Sequence, residues 1–381
     1  MGATLTNLIP TLYSNLDVVS RELVGMIPAV TLDAQASRAA VNQSVRSFVA
    51  PAASAGDITA GVTPPNDGDQ TIGDMEIKIT KARRVPIRWT GEEERGSGPA
   101  AAAIQGAQIQ QAIRTLCNEI EADLAATYIS ASRAAGAATT TPFGTAGDYT
   151  GASLTRKILA DNGAPLTDMH LVLDTAAGAN LRGKQASSSQ EFGDAMLRQG
   201  VLLDINGMMV RESAQIKTHT KGTASGATTN TAGYAVGATT ITLASAGTGT
   251  ILAGDVITFA GDTNQYVVVT GDADVSGGGT VVLAAPGLRQ AIAASAINIT
   301  VVGTSVRNMG FSRSAIVLAQ RLPALPANGD LASDRTSIVD PRSGLSFEVA
   351  LYPQYRQMQW EISCAWGVKV IKPEHLALLL G

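Results

Sequence analysis

Histidine, cysteine and charge are all scarce in this chain. Only three histidines, His170, His219 and His375, occur in 381 residues, and they stand far apart. That spacing excludes the HExxH arrangement and the Cys/His pairs that hold a structural zinc. The two cysteines, Cys117 and Cys364, each sit in an apolar pattern. They read as buried free thiols rather than a disulfide or a metal site. Charged residues make up 16% of the chain, which is low for a soluble protein, and 28 basic against 32 acidic side chains leave a net charge of −4. A protein built to grip nucleic acid is normally basic, so any DNA contact here should be weak and local. Long hydrophobic runs are missing too. None reaches the roughly 18 residues of a membrane span, and the first residues lack the charged and apolar regions of a secretory signal.

Catalytic patterns are equally absent. There is no GxSxG elbow and no Gly-Lys-Ser/Thr phosphate loop, and the stretch from Gly178 to Lys184 has the wrong spacing for one. Glu92, Glu93 and Glu94 are adjacent, which suits a solvated turn better than a paired acid and base. Nothing in the sequence nominates a catalytic, cofactor-binding or metal-ligating residue, and the expectation is a protein that is not an enzyme. Met1 to Thr6 fits a myristoylation pattern, and Asn42-Gln43-Ser44 and Asn298-Ile299-Thr300 fit glycosylation sequons. These patterns are short enough to arise by chance.

What the chain does have is a long amphipathic stretch from Pro99 to Gly136. Ile109, Ile113, Leu116, Ile120, Leu124 and Tyr128 recur at spacings of three and four, with Gln110, Arg114, Asn118 and Glu121 opposite. Pro99 suits a helix start and Gly136 a C-terminal cap. The spacing predicts one helix of roughly 55 Å, a spine on which the other parts are hung.

Around the spine the chain divides by composition. Residues 1–50 read as an N-terminal arm of short amphipathic pieces, with Leu5, Leu8, Ile9, Leu12 and Leu16 on one face and Val18, Val19, Leu23, Met26 and Ile27 on another. Residues 51–98 read as a β-ribbon. A strong turn signal at Pro64-Pro65-Asn66-Asp67-Gly68 precedes alternating runs at Met75–Ile79 and Val85–Trp89. The basic cluster Lys81-Ala82-Arg83-Arg84 lies between those runs. It reads either as a solvated ribbon tip or as a charged contact to a neighbouring subunit, with Glu92–Glu94 as partners.

After the spine segment (99–150), residues 151–216 mix helix and strand. Leu154–Leu159 and Thr175–Lys184 read as helices, Met169–Leu173 as a buried strand, and 201–210 as a hairpin turning at Asn206-Gly207. Residues 217–304 are different again. Thr239–Leu243, Val256–Phe259, Tyr266–Val269, Thr280–Leu283 and Ile297–Val302 are β-rich runs punctuated by Gly, Ala, Asp and Asn, as in a small barrel or sandwich. Between Gly222 and Leu288 the only charges are Asp255, Asp262, Asp272 and Asp274. Acidic surface of that kind suits an outer face better than one turned to DNA. Helical signals resume at Ser312–Leu322, which marks the β-rich segment as an insertion. The remaining segment (305–381) ends in two alternating runs, Leu345–Leu351 and Met358–Trp366, joined through Tyr352–Tyr355. The fold class expected is α+β.

This order of parts resembles the HK97-like major capsid proteins of tailed bacteriophages, and within them the P22 coat-protein branch. The resemblance rests on a ribbon followed by a spine helix, like the family's E-loop and P-domain helix. It rests also on Leu171–Arg182 with the hairpin at Asp204–Val210, like the axial A-domain; on Asn308–Ala319; on Asp340–Val349 leading to Trp360–Pro373; and on a β-domain inserted at 217–304. It implies a structural coat protein that assembles with copies of itself, as hexamers and pentamers, into an icosahedral head shell around double-stranded DNA. It implies a virion location after assembly in the bacterial host cytoplasm, no membrane and no cofactor, and a portal as partner. The roughly fifty residues ahead of the ribbon are too few for a scaffolding domain, so a separate scaffolding protein is expected. The competing class is another self-assembling structural protein, such as a phage tail or surface-layer component.

Overall fold

The structure is a computed structural model that describes residues 25–49, 55–58, 60–63, 73–184, 204–340 and 344–381. The arm residues Leu5 to Leu23, the turn at Pro64–Gly68 and the hairpin entry at 201–203 lie outside the described residues. The fold is α+β, with strands predominating over four α-helices among the described residues.

Two large sheets organise it. In the first, strands run in the order Thr31–Ala39, Ile316–Pro323, Gln357–Val370, Ser346–Gln354 and Asp334–Val339. Lys81–Thr90 lies along the first ten residues of the long 357–370 strand, on the edge opposite the one shared end to end by 346–354 and 316–323. The hairpin between 346–354 and 357–370 is the antiparallel pair expected from the alternating runs, and it closes at Tyr355-Arg356, where Arg356 takes φ +55°. The second sheet carries, in order, Ile299–Val301, Val256–Phe259, Gln265–Thr270, Arg133–Ala135, Leu376–Leu380, Ser305–Ser312, Met169–Leu173 and Met208–Glu212.

The spine helix spans Ala101–Ala125, about 37 Å by its rise per residue, and does not reach Gly136. Pro99 lies in a short 3-10 turn before it, and a second 3-10 turn, Ala126–Ser130, follows. The chain is then taken over by a sheet: the Ser132 amide donates to the Leu376 carbonyl, and Arg133–Ala135 runs parallel to Leu376–Leu380. Local helical periodicity loses there to a completed ladder. Ile109, Ile113, Leu116, Ile120 and Leu124 are buried as their spacing requires. They pack with Trp366, Phe347, Ile362 and Phe311 in the largest core cluster. Burial of side chains this size stabilises by roughly 1.5–3 kcal/mol each before entropy is counted.

Four further expectations change. Residues 31–39 and 44–49, expected only as parts of an arm of short amphipathic pieces, are strands; the first pairs in parallel with 316–323 and the second antiparallel with 73–78. The ribbon is therefore Ser44–Val49 with Gly73–Lys78, and its far connection is 50–72 rather than 81–84. Ser312–Leu322 is not helical. It comprises a strand end, a 3-10 turn at Arg313–Ala315 and the strand Ile316–Pro323, in which seven successive residues are buried. A fully buried strand carries no alternation, so its apolar run imitates a helix. Glu92–Glu94 is not a turn: Gly91–Ser97 is a short helix with a capping box, in which Glu93 N donates to Thr90 Oγ1 and Thr90 N to Glu93 Oε2.

The inserted strands appear where the β-rich runs lie, at 240–243, 256–259, 265–270, 279–283 and 299–301. They enclose their own cluster, including Ile241, Phe259, Tyr266, Val281, Leu283 and Leu288. They do not pair only among themselves, however. Gln265 and Tyr266 pair with Ala134 and Arg133, so the insertion's sheet continues into the C-terminal strand.

Candidate assembly interface

The charged residues singled out by the sequence are satisfied within the chain. Lys81 Nζ lies 2.7 Å from Asp123 Oδ1, and Trp366 Nε1 donates to the other Asp123 oxygen at 2.8 Å. Arg83 pairs with Glu119 at 3.3 Å and Arg84 with Glu361 at 2.6 Å. The basic cluster therefore clamps a sheet strand onto the spine helix and the long hairpin. It is not a ribbon tip, and within the chain its partners are Asp123, Glu119 and Glu361. Such half-exposed pairs add about 0–1 kcal/mol each, so they set orientation more than stability.

All three histidines are buried; the rings of His170 and His219 are hydrogen-bonded, whereas His375 Nδ1 has no hydrogen-bond partner among the described residues. His170 Nε2 lies 3.0 Å from Asp168 Oδ1, and burial, with Arg211 and Arg313 nearby, holds its pKa below the usual value. His375 is shifted down chiefly by burial. His219 bridges two parts of the chain. Its Nε2 faces Asp255 Oδ1 at 2.9 Å and its Nδ1 faces the Tyr128 hydroxyl at 2.9 Å. Asp255 can only accept, so Nε2 carries the proton and Nδ1 accepts from Tyr128. Asp255 is fully buried and also takes the backbone amides of Gly222 and Leu252. This corrects the reading of all four insertion aspartates as surface charge; Asp255 is a buried bracket between the insertion and the turn after the spine. Beside it Arg307 is 1% exposed, donates from Nη1 to Ser305 Oγ at 3.0 Å, and has its pKa lowered to about 10 by burial.

Cys117 and Cys364 are free and buried, and burial drives the Cys364 thiol well above its ordinary pKa, which keeps it from acting as a nucleophile. Gly178–Lys184 lies within a helix whose Arg182 grips Glu212 through both terminal nitrogens, at 2.5 and 3.2 Å. Among the described residues no group of three His, Cys, Asp or Glu side chains could hold a metal ion, and no helix is long and apolar enough to cross a membrane.

The ribbon is covered on one face, where Ile77 is buried with Val317, Ala319 and Ala365 of the body. Its two strands pair with one another, and on its connection Ile58 and Val62 are completely exposed, at 104% and 105% of their reference areas. The body touches the ribbon's base, where Lys369 Nζ donates to the Glu76 carbonyl at 3.0 Å. A groove of about 440 Å³ on the body, between the spine helix and Val85–Arg88, is lined by Ile104, Ala107 and Gln111. A larger one of about 760 Å³ runs from Trp89 and Glu92 to the exposed Tyr355 at the hairpin tip.

No family model and no curated protein matches this sequence. Solved structures match in three dimensions, phage and virus-like particles among them. One is from Mycobacterium phage Che8, at 11% identity and a TM-score of 0.46, covering 88% of this chain and 84% of that one. A second is the capsid of the cyanophage P-SCSP1u, at 10% identity and 0.47, covering 92% and 86%. A third is a virus-like particle from Pyrococcus furiosus, at 8% identity and 0.41, covering 97% and 96%.

Proposed function

We propose that the chain is a major capsid protein of HK97-like fold, of the P22 coat branch, which assembles through hexamers and pentamers into an icosahedral phage head shell around double-stranded DNA. The observation that carries the reading is the ribbon. A two-stranded ribbon is marginal alone, and two large aliphatic side chains held fully in water are covered when the ribbon lies on another copy. The order of ribbon, spine helix, mixed α/β part, inserted β-module and closing hairpin is that of the resemblance. In that reading the arm lies before Ser44, the E-loop is the ribbon within 44–78, 99–150 starts the P-domain, 151–216 and 305–381 are the A- and P-domain remainder, and 217–304 is the insertion. A net charge of −4 suits a dense shell with weak contact to packaged DNA. A separate scaffolding protein and a portal complete the partners, and the site of assembly is the host cytoplasm.

Negative-stain microscopy of the purified full chain, alone and coexpressed with its neighbouring phage genes, tests this. Closed polyhedral shells are the expected result. Tubes or flat lattices would instead favour the tail or surface-layer reading.

A further inference from the structure

The basic cluster at 81–84 is paired off within the chain, but the charges around the tip of the long hairpin are not. The helix Gly91–Ser97 begins with three consecutive glutamates, of which Glu93 is used in the capping box with Thr90. Glu92 and Glu94 are exposed, and among the described residues neither has an ion-pair partner. They line one groove of about 760 Å³ together with the turn Tyr355-Arg356. Tyr355 is 87% exposed, a large aromatic ring held in water. Arg356 is exposed as well; its guanidinium lies 5.8 Å from the Tyr355 ring centre and forms no ion pair with either glutamate.

The groove is built on rigid elements. Trp89 and Met358, which also line it, stand directly opposite one another in the sheet. The Trp89 side chain is buried and pinned by a 2.6 Å hydrogen bond from Nε1 to Gln108 Oε1 on the spine. The Gly91 amide donates to the Arg356 carbonyl at 3.1 Å, which fixes the turn against the start of the short helix. One patch therefore carries an apolar slot with two free carboxylates and, beside it, an exposed ring followed by a free cation. Tyr and Arg are the side chains that most often anchor interfaces, and the slot carries the charge opposite to Arg356.

We infer that this patch is a self-association surface whose partner is a second copy of the chain. Tyr355 and Arg356 of one copy enter the groove of the other, Arg356 meets Glu92 and Glu94 there, and the reverse contact forms at the same time. A patch that carries both halves of a complementary pair gives such a reciprocal contact under two-fold symmetry. The contact pairs three charges that stand unpaired on the single chain and covers the Tyr355 ring while its hydroxyl can stay wet. It rests on the assembly reading for its partner, a second copy, and it is separate from the ribbon.

Sedimentation velocity of the full chain over a concentration series tests it, read as the concentration at which half of the chain is associated. Arg356→Asp, and separately Glu92→Arg with Glu94→Arg, should each raise that midpoint at least about tenfold. Tyr355→Ala should raise it too, and it removes only an exposed ring at a turn. Asp tolerates the positive φ at 356, and Glu93 is left in place because it caps the helix. Combining Arg356→Asp with both glutamate reversals should return the midpoint to within about threefold of wild type, which a merely local effect of either change would not do. A midpoint unmoved by any of the three changes, a combined variant no better than its worse parent, or a wild-type chain that stays monomeric throughout overturns the proposal. Microscopy keeps this apart from the capsid reading. Closed shells with an unmoved midpoint would sink the contact alone, and charge-dependent pairs that build no shell would sink the shell alone.

Discussion

Asp330 accepts from Arg335 Nη2 with both oxygens, at 2.5 and 2.6 Å, and also from the Tyr352 hydroxyl at 2.9 Å. These bonds, the Arg335 contact foremost, pull its carboxyl pKa down to about 2 from an ordinary 3.8. The folded-state value is depressed, so the pairing stabilises fully above the unfolded value and is lost as pH falls through the folded one. Between about pH 4 and pH 2 the wild-type protein should lose melting temperature faster than Asp330→Asn, and the two curves of Tm against pH should converge toward pH 2. Parallel curves across that window would show that the carboxylate is not coupled to folding. Single side chains were also where the sequence was hardest to read. Glu121 and Asp255 look like surface acids in a linear pattern, because periodicity ranks residues by polarity and cannot tell a buried acceptor facing backbone amides from a solvated one. The apolar stripe of the spine and the buried thiols were legible, since large apolar groups have few alternatives to burial.

Among elements, legibility followed the period. Met169–Leu173, Thr175–Lys184, the turn at Asn206-Gly207 and the long C-terminal hairpin appear in the chain as they do in the sequence. At the turn, positive φ at both Asn206 and Gly207 is what a type I′ hairpin requires. The misread elements are those whose partners lie far away. Thr31–Ala39 becomes a strand only because 316–323 offers it an edge, and the spine stops short only because Leu376 claims the next amide. The link between Tyr128, His219 and Asp255 is of the same kind, joining residues 91 and 36 positions apart. Tyr128→Phe should cost about 1–3 kcal/mol, since it strands a ring nitrogen in a buried site. A double-mutant cycle with Asp255→Asn, read by denaturant unfolding, should show coupling of about 0.5–3 kcal/mol through the shared imidazole. Additive effects would mean that the insertion and the spine are joined by sheet pairing alone.

At the scale of the whole molecule, the ribbon is the part whose removal should separate folding from assembly. The ribbon strands 44–49 and 73–78 form a two-stranded sheet separate from both large sheets, so deleting 62–72 from their connection should leave melting of the subunit within a few degrees of wild type. Light scattering under assembly conditions should then show that closed shells do not form. Normal particles from the deleted chain would remove the ribbon from the assembly reaction.

The strand at Leu376–Leu380 lies between Ser305–Ser312 on one side and Arg133–Ala135 on the other. It is synthesised after every strand it joins, yet the second sheet is in two halves without it. During translation the inserted module, with its own core, can collapse before residues 376–380 are made, and the half of the sheet around 305–312 keeps an open edge until that strand is added between it and Arg133–Ala135.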